Sequence, residues 1–299
     1  MNTMFENLSW KEILDQLNAI REQQVYSNYN IEFIKHHLQS SDDRVRGGAV
    51  LAAEGCILEP QILDHLLELM ESEKNPAIRK GIVQVLGNVI HEGVENGLED
   101  SRGASVDLDY SEEWDEIQIE SFHENYLRVK NILLGVLQDE LESMEIRETA
   151  LFSLRELGML DEVREWIQEF ADSDRHSARL VALSAMGKFP EFWIEPLSRY
   201  LQPDTEKELL LEAISSAYSS GSARLANQIQ QLLNLDDPDV QSYALLTLAN
   251  INRTENLGEI LQEFSLHANE QVREAAREAI EIYTNKSFNQ YMRDEMGFK

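Results

Sequence analysis

The chain has 299 residues, with 55 acidic against 26 basic side chains, a formal net charge of −29 and 42% hydrophobic residues. That apolar share supports a large core and excludes wholesale disorder, while 6 Pro and 14 Gly are too few for the tight turns of an all-β chain. A single cysteine, Cys56, excludes an internal disulfide and a cysteine-based zinc site.

Residues 1–10 lack the basic and apolar regions of a signal peptide, and no stretch approaches the roughly 20 apolar residues of a bilayer span, so a cytoplasmic location is expected. The first predicted element is a helix over 9–26, with Ile13, Leu14, Leu17 and Ile20 on one face. It is expected to cap the N-terminal end, giving a first segment of residues 1–28.

From residue 29 a short pattern recurs. Val45-Arg46 is echoed by Ile78-Arg79, Ile146-Arg147, Ala178-Arg179, Leu209-Leu210, Val240-Gln241 and Val272-Arg273. The second positions are spaced by 31–33 residues, except for one gap of 68 between 79 and 147. Three residues after each lies Ala49, Ile82, Ala150, Ala182, Ala213, Ala244 or Ala276. Four after lies an apolar residue in every copy but the last, where Arg277 stands. Offsets of −1, +3, +4 and +7 make one face of an α-helix, and the small residue at +3 admits a close neighbour.

A second amphipathic segment precedes each of these helices, as in Ile62-Leu63-Leu66-Leu67-Met70 and Val163-Trp166-Ile167-Phe170. Capping residues mark the joins: Asp42 and Asp43, Asn75-Pro76, Asp174, Asp204-Thr205, Asp236-Asp237-Pro238 and Asn269. Each repeat is therefore a pair of antiparallel helices that must stack to bury its stripe. The fold class predicted is an all-α solenoid of about seven hairpins, with repeats one and two over 29–92, repeats three to seven over 121–284 and a polar tail, expected to fray, over 285–299.

This unit, with Asp or Asn at the turn and Val-Arg-x-x-Ala opening the second helix, resembles the HEAT-like repeat family, and most of all the short repeats of the phycobilisome-lyase type. The resemblance covers about residues 29–283. It implies that an Asp/Arg ladder ties adjacent repeats, interrupted here at Leu210 and Gln241, and that the second helices line a concave binding face.

Residues 93–120 form the predicted insertion, with ten acids against the one base Arg102. A loop this long inside a packed array is functional or disordered. Asp107-Leu-Asp109-Tyr-Ser111 imitates the start of a calcium loop, but Glu112 stands where that loop needs Gly and Gln118 where it needs Glu. The calcium reading is set aside. A solvated acidic loop remains, or an acidic contact arm with Asp107 and Asp109 and with Tyr110 and Trp114 as aromatic anchors.

Motifs for chemistry are missing. There is no Gly-x-Ser-x-Gly, no phosphate-binding glycine loop and no His-Glu-x-x-His, and the one Glu-x-x-His, Glu120 to His123, is half of a dimetal pattern. Cys56 reads as a buried inert residue, and no cofactor or metal is expected.

Positions +1 and +5 of the second helices are expected to project from the concave face. They place Lys80, Gln84, Glu148, Phe152, Leu180, Leu211 and Leu246 there. An apolar strip rimmed by acids suits a partner's amphipathic segment, unless curvature buries it between repeats. The expected function is a non-catalytic scaffold or adaptor, monomeric, binding a basic protein and neither nucleic acid nor membrane. Two alternatives stay open: a bilin lyase-like chaperone subunit, implied by the resemblance, and an immunity-type or nucleic-acid-mimicking inhibitor of a basic protein.

Overall fold

The structure, a computed structural model, describes residues 8–98, 116–251 and 256–296, with 116–120, 190 and 286–296 described as backbone alone. Among these residues there are fifteen α-helices and no strand. The fold class is all-α, of the helical-repeat type. Helix α1 (Trp10–Gln23) is followed by seven pairs: α2 (Asn28–Leu38) with α3 (Asp43–Ala52), α4 (Pro60–Ser72) with α5 (Pro76–Glu95), α6 (Glu116–Gln138) with α7 (Met144–Leu154), α8 (Asp161–Ala171) with α9 (His176–Met186), α10 (Ile194–Tyr200) with α11 (Lys207–Ser220), α12 (Ala226–Leu232) with α13 (Pro238–Ile251), and α14 (Leu257–Phe264) with α15 (Glu270–Met296). No helix among the described residues is long and apolar enough to cross a membrane.

The helices group into two compact units, Met1–Val163 and Arg164–Lys299. In the first, α1 packs on α3, α3 on α5 and α5 on α7; in the second, α9 packs on α11, α11 on α13 and α13 on α15. The second helices thus stack on one another within each unit. The small column explains how: Ala49, Ala150, Ala182, Ala213, Ala244 and Ala276, with Ile82, are all fully buried. Close approach shows again where Gly87 faces Ser153 and Gly187 faces Ser216, since a Cβ on either glycine would stand 2.6 Å and 3.0 Å from the serine hydroxyl. Those hydroxyls donate to the backbone, Ser153 to Val83 O (3.2 Å) and Ser216 to Leu183 O (2.6 Å).

Caps follow the sequence at most joins. Ser9 and Glu12 form a reciprocal capping box on α1, and Asp42, Asn75, Asp237 and Asn269 accept from the first-turn N–H groups of their helices. Ser143, at a join for which no cap was expected, caps α7. Asp174 and Asp204-Thr205 do not cap as expected: the residues before α9 and α11 are Arg175 and Glu206, and neither makes a side-chain cap. The boundaries of two segments also shift. Helix α5 reaches Glu95 and α6 starts at Glu116, both inside the stretch read as insertion, and α15 runs on to Met296 through the stretch read as a tail.

The arginine column has a definite task. Arg46 Nη1 donates to Ser40 O (2.8 Å), Arg79 Nη1 to Met70 O (2.6 Å), Arg147 Nε to Leu137 O (2.9 Å) and Arg273 Nη1 to His267 O (2.8 Å). These are carbonyls at or just past the C-terminal end of the preceding helix, where partners are missing and a cation is favoured. Gln241 keeps the contact through its amide, donating to Leu233 O at 3.2 Å. In the first unit the same arginines also reach the next repeat: Arg46 pairs with Glu73 at 2.5 Å, and Arg79 pairs with Glu142. The ladder between repeats is therefore built on Glu73 and Glu142, not on the cap aspartates alone.

A second set of polar ties joins the starts of neighbouring second helices. Asn75 donates to Asp43 (2.9 Å), His176 meets Glu206 (3.1 Å) and Glu208 (2.9 Å), Lys207 meets Asp237 (2.8 Å) and Asp239 (2.7 Å), and Gln271 donates to Asp239 (2.9 Å).

Two stability predictions follow from these ties. The Glu73 side chain is 3% exposed, so removing its cation strands a buried charge. Arg46→Met is expected to cost about 3 kcal/mol, read as a lower urea midpoint of the first unit; an unchanged midpoint would refute the role given to the pair. The Arg46 hydrogen bond holds the Glu73 carboxyl below its ordinary value, so this contribution is present above about pH 4.3 and is lost as the pH falls through the depressed folded value. His176 has the opposite sign. The Glu208 carboxylate, aided by Glu206, raises its pKa, so the contribution is full below about pH 6.5 and is lost as the pH rises through the folded value. His176→Gln should lower the denaturation midpoint at about pH 6 and leave it unchanged at about pH 9.

Candidate functional site

The candidate surface is the solvent-facing side of the second helices, and each unit carries its own part. In the first unit the exposed residues are Leu51 on α3, Lys80 and Gln84 on α5, and Phe152 on α7, the last 44% exposed. Glu148, expected to project with them, is buried at 7% exposure. It sits one residue after the arginine column, where Ser242 is buried too, whereas Lys80 at the same offset is exposed.

Two clefts open on this part of the surface. One, of about 460 Å³, lies over the glycines Gly47, Gly48 and Gly81, where the absent side chains leave a shelf between α3 and α5. Arg44 borders it and stacks on Trp10, its guanidinium 3.9 Å from the ring centre. The other, of about 230 Å³, brings Gln84 and Phe152 together with Glu54, His91, Arg155 and Glu156. Arg155 lies on the Phe152 ring at 3.8 Å and donates to Phe152 O at 2.9 Å.

Beside this second cleft stands a potential ligand set. His91 and Glu95, one turn apart on α5, and Glu156, in the 3-10 turn after α7, bring one donor atom each to within 4.8 Å of one another. His91 Nδ1 is 3.2 Å and 3.3 Å from the two Glu156 oxygens. Glu156 is buried, whereas His91 and Glu95 are exposed.

In the second unit, Leu180 on α9, Leu211 on α11 and Leu246 on α13 are all half-buried. They are neither swallowed between repeats nor fully presented. The aromatic residues nearby are more open: Tyr218 on α11 is 40% exposed and Tyr243 on α13 is 49% exposed. Both escaped the sequence reading because they fall at offsets +8 and +2 from the arginine column, outside the two positions followed. Glu212 lies among them, half-buried. Burial raises its pKa, and the Ser184 hydrogen bond offsets only part of this.

Other sequence candidates resolve simply. Asp107, Asp109, Tyr110 and Trp114 lie outside the described residues. Cys56 is buried, and that burial pushes its thiol up to about 12, so it is protonated at neutral pH and poorly suited to act as a nucleophile. His37 is buried edge-on against Phe33 and held down to about 4, first by burial and then by His36, so it is neutral. His123 stands exposed on α6.

No protein-family model matches the chain, and no curated protein matches it. Solved structures are similar in fold. The Kap95:Nup1 complex matches 96% of this chain with a TM-score of 0.55 at 14% identity, over 41% of its own chain. Kap121p bound to Nup53p matches 98% of this chain with a TM-score of 0.45 at 11% identity, over 42% of its own. A designed armadillo repeat protein in complex with the peptide (KR)4 matches 92% of this chain and all of its own, with a TM-score of 0.32 at 19% identity. The chain thus spans about two fifths of the length of the two Kap proteins it matches. The fold is that of a HEAT/armadillo-like helical repeat protein.

Proposed function

We propose that this chain is a non-catalytic scaffold that binds a protein partner of basic character through the exposed side of its second helices. One observation carries the reading: Phe152, Tyr218 and Tyr243 present 40–49% of their surface to solvent on helices whose opposite faces are fully committed to stacking. Aromatic side chains contribute most to protein interfaces when such a surface is covered. The formal charge of −29 supports a basic partner, since it attracts cations and repels phosphate backbones. That the Kap95 structure of similar fold was solved with Nup1 supports a protein as the ligand class. The half-buried Leu180, Leu211 and Leu246 add apolar area around the aromatic positions, and Lys80 and Gln84 give the first unit a polar border.

The test is affinity capture from the native cell with wild-type bait and with the separate variants Phe152→Ala and Tyr243→Ala, quantified by mass spectrometry. One of the two is expected to lose its main partner by about 30-fold, the effect of deleting one interface anchor, with its thermal midpoint unchanged. Retention on wild-type bait should also fall as salt is raised, because charge attraction between exposed groups is screened. Equal capture by wild type and both variants would overturn the proposed face.

A further inference from the structure

We propose that His91, Glu95 and Glu156 form a binding site for one first-row divalent transition-metal ion, with zinc as the reference ion. The site is assembled from two repeats. Spacing i, i+4 puts His91 and Glu95 on the same side of α5, and the turn after α7 delivers Glu156 from the next hairpin. All three donors already lie within 4.8 Å of one another.

The distances suit coordination. Donors that sit about 2.0–2.2 Å from one ion at right angles or tetrahedral angles are themselves about 3.0–3.5 Å apart. His91 Nδ1 stands 3.2 and 3.3 Å from the Glu156 oxygens. The contact between the His91 ring and the Glu156 carboxylate holds this geometry, and an ion seated there has the Glu95 donor within 4.8 Å of both. Glu156 is fixed by burial and His91 by its contact to Glu156, so two of the three ligands are preorganised.

The donor set defines the class of ion. Two carboxylates alone would accept magnesium or calcium, but a nitrogen ligand shifts preference to zinc, cobalt, nickel or iron. The Arg155 guanidinium lines the adjoining cleft and opposes a second cation there, so an ion has to be held by direct coordination. Three protein ligands leave positions open, and the site borders the cleft of about 230 Å³ that Gln84 and Phe152 share. A metal-bound water, or a donor group from a ligand, would complete the shell there.

The experiment uses the full chain. Equilibrium dialysis against Zn2+ in millimolar Mg2+, with the Mg2+ present to saturate unspecific carboxylates, should give one tight ion per chain. Co2+ under the same conditions should produce visible d–d absorption, which aqueous Mg2+-type sites do not alter. His91→Ala and Glu156→Gln should each weaken binding by more than about tenfold and abolish the cobalt band, while His123→Ala, at an exposed histidine elsewhere, should bind as wild type. Circular dichroism of each variant establishes that it is folded. The proposal fails if Zn2+ binds with no saturating site in Mg2+, or if folded His91→Ala and Glu156→Gln retain wild-type affinity.

Discussion

Every feature of this chain depends on a single packing constraint: a two-helix hairpin has one apolar stripe more than it can bury by itself. Within each unit the stripe on a second helix is closed chiefly by the second helices beside it, with first helices such as α2, α6, α12 and α14 covering the rest. That is why the column three residues after the arginine must be small, and why it is fully buried in all seven copies. A larger residue there would push the axes apart and uncover the residues at +4 and +7 on both sides. Ile82 is the one large member and is fully buried as well, while the glycines of α3 admit Leu14 of α1 against Gly48 and Ile78 of α5 against Gly47. Gly47, Gly48 and Gly81 also line the cleft on the solvent side, so that cleft is a by-product of how the stack closes.

Polar groups then deal with what the apolar stripe leaves exposed. A short helix ends in carbonyls without partners, and in a stack those ends lie near other protein and have less access to water. In four repeats one arginine meets this need from the following helix, and it does so by donating to carbonyls, not chiefly by pairing with acids. This explains why Gln241 can stand in the column: the amide donates as well. Leu210 makes no such contact; in the helix before it, Tyr200 donates its hydroxyl to Ala171 O, at the end of α8, at 2.5 Å.

The stack was legible in the sequence because its determinants are local and periodic. Anchor spacing, small column and cap residues all recur, and each recurrence strengthens the others. The surface was less legible. At offset +5 Gln84 and Phe152 are exposed and Leu246 is half-buried, while at offset +1 Lys80 is exposed and Glu148 is buried, because coverage there depends on the packing of the adjacent helix, which is not written in one repeat. Tyr218 and Tyr243 sit at offsets with no periodic partner, so nothing in the pattern singled them out. The His91, Glu95 and Glu156 grouping shows the same limit more sharply. The pair on α5 is visible as a one-turn spacing, but its third member is 61 residues later, in a different repeat, and only the fold brings it near.

The surplus of acids has a structural use before it has a functional one. Glu12, Asp43, Glu145, Asp161, Glu162, Glu195, Glu208, Asp239, Glu259 and Glu270 all lie in the first turn of a helix, where the unpaired N–H groups and the helix dipole favour negative charge. Most of the helices carry no base in the last turn, so the chain stabilises its helix starts with carboxylates and its helix ends with the arginine column. Repulsion among so many like charges is thereby partly offset in place, by N–H groups, Lys207, His176 and the amides of Asn75 and Gln271. The charge that remains after those local matches is what reaches solvent beyond the stack. A repeat architecture multiplies it, because most hairpins, α4 with α5 excepted, bring another acidic helix start, and the field felt by an approaching cation grows with their number and does not require a dedicated acidic pocket.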